Sequence, residues 1–400
     1  MRKVRLGIVG CGFVAHLHMS ALRQVTGIEV EVAGVASRTG ERAEAFARQY
    51  GIKNYYTDYR YLLDNEDIDA IDVCVPNNLH EEVCINSAKA KKHIICEKPL
   101  TGYFGQDLPG EVTNIGHTVP KRQMYKVAMD SARRILRAAQ DNQVILGYAE
   151  DFVYAPPLVK AKRLIEVSGG TILDIRAEES HSGSHAAYSR EWRLAGGGSL
   201  LRLGSHPLGA VLHLKHFEGM LKQGRPIQVK SVTAEVGNLT KVPSFTAEEK
   251  KWLVHEWQDV EDWAAVFLTF TDGTKAAVFS NDTTLGGVVN TVDVYLSNSI
   301  VKCNMSSMNA CQVYAPSHDI FADEYLTEKQ ETKAGWSFPA PDEDWMRGYP
   351  QEMQDFMEAF CEGRNPISDG QLGLEVVQVT YASYMSAEEG RRIELGELEG

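Results

Sequence analysis

Short apolar runs alternate with stretches of helical period along the first 147 residues. Runs of strand character fall at 4–9, 30–35, 70–75, 93–96 and 144–147. Between them 14–24, 41–50 and 79–91 carry helical spacing, and over 122–141 the residues Met124, Ala128, Ala132, Ile135, Leu136 and Ala139 share one helical face. This alternation predicts a doubly wound parallel sheet with helices on both faces. Residues 102–121 interrupt it, with no clear period and with turn residues such as Gly102, Gly105, Pro109 and Gly110. A loop this long inside a compact domain is usually functional or disordered. A lid, a subunit contact and a plain surface excursion all stand as readings.

After residue 150 the pattern changes. Strand-like runs at 171–179, 227–236, 263–271, 275–280, 291–297 and 299–305 are separated by turn signals such as Asp272-Gly273 and Ser297-Asn298. They predict an open-faced, mainly antiparallel sheet with few covering helices, closed by helices at about 350–362 and 370–387. Such a sheet has one face to bury, so pairing with a second copy, as a dimer or tetramer, is expected through it. A chain of 400 residues also exceeds what one compact core organises. The reading is therefore α/β plus α+β, with domains at 1–147 and 148–400.

Charge and composition remove several functions. A formal charge of −13 argues against nucleic-acid or anionic-membrane partners, which reward a basic surface. No run approaches the roughly 20 apolar residues of a membrane span. Met1-Arg2-Lys3 leads into a stretch too short and interrupted for a signal peptide. The seven cysteines are odd in number and contain no Cys-x-x-Cys. Reduced, mostly structural thiols and a cytoplasmic location are the expectation.

Between the first strand and the first helix lies Gly10-Cys11-Gly12-Phe13-Val14-Ala15, a G-x-G-x-x-A turn. Its first glycine permits the tight turn, its second lets backbone approach a pyrophosphate, and its small last residue allows close helix–strand packing. The helix N-terminus faces the negative charge. In this context the motif points to a dinucleotide. An acidic residue at the end of the second strand would bind the ribose 2′-hydroxyl of NAD, but the chain has Val35-Ala36-Ser37-Arg38-Thr39 there. Ser37 and Arg38 favour NADP, whose 2′-phosphate they could hold by charge-assisted hydrogen bonds. They also accommodate NAD by lying against the adenine.

Two further motifs complete a pattern: Pro76-Asn77-Asn78-Leu79-His80 and Cys96-Glu97-Lys98-Pro99. With the glycine turn, Trp192-Arg193, Gly196-Gly197-Gly198 and the ending Ser386-Ala387-Glu388-Glu389-Gly390-Arg391, the chain resembles the Gfo/Idh/MocA oxidoreductases along essentially its whole length. The resemblance implies an N-terminal Rossmann domain, an open-faced C-terminal domain, a cis Lys98–Pro99 bond and an NAD(P) cofactor. Motif and resemblance together give a cofactor-binding set of Gly10, Gly12, Phe13, Val14, Ser37, Arg38, Pro76, Asn77, His80, Glu97, Lys98, Trp192 and Arg193. Arg193 is expected near phosphate or nicotinamide.

Lys98 stands just past an apolar strand, at the sheet edge where open α/β folds bind ligands. From there it could exchange a proton with a substrate hydroxyl. The resemblance implies a second acid/base group at His206, following the glycine run. Four residues earlier, where many relatives carry aspartate, this chain has Arg202. On one helix the two side chains would be neighbours, and the arginine would lower the histidine pKa. Arg202 is therefore read as binding an anionic or polar substrate group, or as tuning Lys98 and His206. Tyr154 and His181 are candidate substrate contacts. His181, His185 and His206 are of metal-ligand type, but their spacing matches no ligand motif, and no metal is assigned.

The function implied is reversible hydride transfer between a secondary hydroxyl of a sugar, glycoside or polyol and the nicotinamide, with Lys98 and His206 as acid/base groups. The alternative is a redox-neutral, NAD-dependent glycosidase working by transient oxidation and elimination. A cofactor-binding regulator or biliverdin reductase-like enzyme is a third reading, which an intact Lys98 and His206 weigh against.

Overall fold

The computed structural model describes residues 2–306 and 311–398. Six parallel strands form the first sheet: β1 (Arg2–Val9), β2 (Ile28–Ala36), β3 (Asn54–Tyr56), β4 (Ala70–Val73), β5 (His93–Glu97) and β6 (Leu146–Ala149). Their order, β3-β2-β1-β4-β5-β6, reverses direction between β1 and β4, which makes the carboxyl end of those two strands the ligand-binding crevice. Leu6, Ile8, Ile71, Val73, Ile94 and Ile95 are fully buried. Strands covered on both faces need no alternation of polar residues, and this is why they read as continuous apolar runs.

The second sheet has seven strands in the order β12-β11-β7-β10-β9-β8-β15. They are β7 (Ile172–Ser180), β8 (Val229–Gly237), β9 (Trp263–Phe270), β10 (Lys275–Asn281), β11 (Val289–Leu296), β12 (Ile300–Asn304) and β15 (Ile393–Glu394). Every pairing is antiparallel except β7 with β10. A separate two-stranded ribbon joins β13 (Val313–Ala315) to β14 (Gly335–Ser337).

The expectation of few covering helices needs correction. Helices Pro156–Ser168 and Ser205–Gln223 pack on one face of the second sheet. In Ser205–Gln223, residues from Ser205 to Leu212 are all buried, so the segment lacks the polar stripe that marks a surface helix. The opposite face carries exposed Phe267 and Phe279 among Arg176 and Lys275. Helix Tyr349–Glu362 returns to the first sheet and packs on helix Phe13–Leu22 and β1, while Gly370–Glu389 packs on Lys121–Asn142 and β8.

Residues 102–121 are a strap anchored by buried residues at 102–105, Ile115, Gly116 and Val119, with most of the rest exposed. Tyr103 and Ile115 are fully buried, and the Tyr103 N–H donates to the Tyr381 hydroxyl at 2.6 Å. No helix among the described residues is long and apolar enough to cross a membrane, and the seven cysteines form no disulfide.

Candidate active site

The glycine turn follows β1 directly. Gly10 has φ +110°, and a Cβ there would lie 2.1 Å from the Cys74 carbonyl oxygen. Only glycine fits, because strand β4 ends against it. Around Gly12 nothing would meet an added Cβ within 4 Å, and Phe13 beside it is 71% exposed. Helix Phe13–Leu22 starts without a side-chain cap, so its first N–H groups are free to meet an anion. Val14 is half-buried behind them, and the small Ala15 is fully buried against the sheet. At the end of β2, Ser37 is half-buried, its N–H donating to the Tyr56 carbonyl. Arg38 is exposed, with no hydrogen bond or ion pair among the described residues. An open glycine turn, an uncapped helix start and an unpaired arginine together fit a dinucleotide.

The end of β4 supplies Pro76, exposed at the start of a short turn, and Asn77, whose amide donates to the Ala195 carbonyl at 2.8 Å. The His80 ring lies 2.8 Å from the Pro99 carbonyl oxygen and 3.0 Å from that of Val75. Burial keeps its pKa below the ordinary value, so the neutral ring donates to one of the two. His80 therefore braces the ends of β4 and β5, and both its nitrogens face inward. At the end of β5, Glu97 accepts the Lys98 N–H at 3.0 Å, and the Lys98–Pro99 peptide is cis.

Lys98 is half-buried, and its ammonium donates to the Arg202 carbonyl at 2.8 Å. His206, at the start of helix Ser205–Gln223, stacks on Phe152 with ring centres 4.9 Å apart. Its Nδ1 is 2.7 Å from Glu150 Oε1 and 2.9 Å from Asp151 Oδ1; its Nε2 is 3.8 Å from Glu179 Oε2. Burial by itself would lower the His206 pKa. Glu150, Glu179 and Asp151 outweigh both burial and the nearby Lys98 ammonium, and hold it well above the ordinary range. Burial raises Glu150 and Glu179, each partly offset by His206 and Lys98. Lys98 and His206, 108 positions apart in the sequence, thus act electrostatically on the same carboxylates.

Comparison with known proteins agrees with this architecture. Residues 4–123 match the model of the oxidoreductase family with an NAD-binding Rossmann fold, and residues 158–301 match the GFO/IDH/MocA C-terminal domain. The chain belongs to the Gfo/Idh/MocA oxidoreductase family. Levoglucosan dehydrogenase of Pseudarthrobacter phenanthrenivorans is 28% identical over 227 residues, 54% of this chain and 52% of that protein. Myo-inositol 2-dehydrogenase of Thermotoga maritima is 31% identical over 98 residues, 24% of this chain and 29% of that protein. The chain thus spans about half or less of the length of these curated relatives. Among solved structures, GenD2 from gentamicin A biosynthesis in complex with NAD superposes with TM-score 0.79 at 22% identity, over 98% of this chain and 97% of that one. Apo scyllo-inositol dehydrogenase from Lactobacillus casei gives 0.72 at 14% identity over 99% of each chain, a likeness of fold.

Against the Gfo/Idh/MocA pattern, several side chains stand elsewhere than expected. Arg202 and His206 do not share a helix. Arg202 ends the short helix Ser199–Arg202, and a new helix begins at Ser205. The break is built on Gly204, where a Cβ would lie 2.3 Å from the Leu200 carbonyl oxygen. Arg202 instead pairs with fully buried Asp282 and lies over the Trp257 ring, 5.0 Å from its centre. The His206 pKa is raised on balance, not lowered. Arg202 acts on His181, which burial first, then Lys329 and this arginine, push well below the ordinary value. His181 accepts the Gly183 N–H on Nδ1, and His185 is exposed, so these two do not join His206 in a ligating group.

Tyr154 is a core residue, donating to Asp355 at 2.8 Å and accepting the Ser368 N–H at 2.9 Å. A buried phenol needs such partners, and nothing local in the sequence showed them. Arg193 holds the strap: its guanidinium donates to the carbonyl oxygens of Phe104, Gly105, Pro109 and Val112. Trp192 is buried against Tyr384 and under the Lys121 ammonium.

Glu150, Asp151 and Glu179 were not among the expected site residues. Their signal was available, since Asp151 follows β6 and Glu179 lies at the end of β7, at strand ends like Lys98. A second unforeseen group lies beneath the cofactor crevice. The fully buried His18 sets Nδ1 2.9 Å from Asp72 and Nε2 3.0 Å from Glu97. Burial would lower its pKa, but Asp72, with the Cys74 sulfur beside it, reverses the sign and holds it well above the ordinary value. A folded pKa above the unfolded value, about 6.5, adds stability that is complete below that pH and lost as pH rises through the folded value. The urea midpoint of the wild type is therefore expected to fall on moving from neutral into alkaline buffer. His18→Gln should flatten this dependence; an identical pH dependence in both proteins would reject the ion pair.

Proposed function

We propose that the protein oxidises or reduces a secondary hydroxyl of a sugar, glycoside or polyol with NAD(P). What supports the reading is that Lys98 follows β5 at the carboxyl edge of the parallel sheet and acts, together with His206, on the buried carboxylates Glu150 and Glu179. Residues 1–147 hold the cofactor in this reading, and 148–400 hold the substrate. Gly10, Gly12 and the helix start at Phe13 receive the pyrophosphate. When bound, the nicotinamide supplies the redox chemistry. The chain's own residues orient the substrate and move its proton. As the neutral amine, Lys98 takes the hydroxyl proton in oxidation and becomes the ammonium; in reduction the ammonium returns that proton. His206, its ring fixed by Phe152 and by the carboxylates at Nδ1, donates from Nε2 to the reacting oxygen.

The experiment is a panel of sugars, glycosides and inositols with NAD and with NADP, following NAD(P)H absorbance and product together. Net cofactor reduction with formation of a ketone is expected. Release of an aglycone without net reduction would replace the reading with a redox-neutral glycosidase. Tight cofactor binding with no turnover of any member would sink both.

Exposed, unpaired Arg38 supports NADP. A charged hydrogen bond contributes about 1.5–3 kcal/mol, so Arg38→Ala should raise KM for NADP about ten- to a hundredfold and leave NAD nearly unchanged. Equal losses with both cofactors would remove the 2′-phosphate role. The open sheet face around Phe267 and Phe279 supports pairing with a second copy. Light scattering is expected to give a dimer or tetramer.

A further inference from the structure

We propose that Glu150, Asp151 and Nδ1 of His206 form a binding site for a divalent transition cation such as zinc or manganese. The three ligand atoms, one from each residue, lie within 4.8 Å of one another, and all three residues are buried. Nδ1 faces two carboxylate oxygens at once, at 2.7 and 2.9 Å. A single proton on Nδ1 serves one of them, and Asp151 Oδ1 is left without a hydrogen bond. A metal serves all three. With bonds of about 2.0–2.2 Å, ligand atoms around a tetrahedral or octahedral ion stand roughly 3–3.5 Å apart, so a slight opening of the present arrangement admits one.

Unmet acceptors extend beyond this pair. Glu150 Oε2 and Glu179 Oε2 are also buried without a partner, as are both oxygens of fully buried Glu352. The cations around them, Lys98 included, direct their hydrogen bonds elsewhere and leave these oxygens unmet. Lys98 donates to the Arg202 carbonyl, Arg202 pairs with Asp282, and Arg347 is held by Glu328 and Glu343. Buried carboxylates whose lone pairs exceed the hydrogen bonds offered to them are what a divalent ion satisfies. The site is also built. The Phe152 ring fixes the imidazole plane, and Gly209 on the same helix leaves room for Glu150, since a Cβ there would lie 2.8 Å from its Cγ. One nitrogen with two carboxylates suits zinc or manganese better than magnesium or calcium, which prefer all-oxygen sets.

The full-length protein, stripped with chelator and dialysed, is titrated with zinc chloride and with manganese chloride by calorimetry, and metal is quantified by elemental analysis. One ion per chain is expected. Glu150→Gln and Asp151→Asn should each weaken binding by at least about tenfold, with NADH fluorescence titration unchanged as evidence of an intact fold. No heat with either metal and no retained ion would overturn the proposal, and so would wild-type affinity in the double variant Glu150→Gln/Asp151→Asn. The inference uses the His206 cluster of the reading above, but the two fail separately. An ion bound by a protein that turns over no sugar upholds the site and removes the oxidoreductase reading. Sugar oxidation by a protein that takes up neither metal upholds the reading and removes the site.

Discussion

Under the proposed function, Lys98→Met is expected to lower sugar turnover by about a hundred- to ten-thousandfold, the range that a positioned proton-transfer group contributes. Methionine keeps the unbranched stem and loses the ammonium. The rest of the crevice is unaffected, because Gly10, Gly12 and helix Phe13–Leu22 owe nothing to this side chain. NADH should therefore bind as in the wild type, and the loss should appear in kcat. Stopped-flow turnover beside a fluorescence titration separates the two. A Lys98→Met enzyme within a few-fold of wild-type kcat would remove Lys98 from the mechanism and leave His206 to carry the proton.

Arg202→Leu should cost about 3–5 kcal/mol of stability, because breaking a buried ion pair leaves an uncompensated charge. Asp282 is fully buried; the His181 imidazole, 3.7 Å away, is held neutral by its own surroundings, and the Lys329 ammonium, which also acts on Asp282, directs its hydrogen bond to the Gly183 carbonyl. The Lys98 contact should survive, since Lys98 meets the backbone carbonyl of Arg202 and not its guanidinium. The expected signature is a large fall in the urea midpoint with little change in the KM of the sugar. Replacing Asp282 as well, with leucine, should recover much of the loss. An Arg202→Leu protein of unchanged stability but sharply raised KM would restore the substrate-binding role that its position in the sequence suggested.

Arg202 also shows where reading the chain in one dimension stops. The i, i+4 rule assumes a continuous helix, and Gly204 breaks it two residues before His206. The carboxylates beside His206 come instead from just past the end of β6, as Glu150 and Asp151. Arg193 shows the same limit: its partners are carbonyl oxygens of the strap some 80 residues earlier, and backbone acceptors leave no trace in side-chain identity.

What the chain's order of residues determined by itself were the features set by local rules. Strands β4, β5 and the end of β1 were legible because burial on both faces demands unbroken apolar runs, and β2 because its first half alternates Val30 and Val32 with Glu29 and Glu31. The glycine turn was legible because the φ of Gly10 and the nearby Cys74 carbonyl exclude any side chain. The short polar edge strand β3 and the all-round buried helix Ser205–Gln223 were not legible, since neither shows a two-sided pattern. The charge constellation was decided by the tertiary structure alone. His18 with Asp72 and Glu97, His206 with Glu150 and Asp151, and Arg202 with Asp282 each join distant segments. Burial makes each of those partnerships strong, and burial is a property of the packed chain.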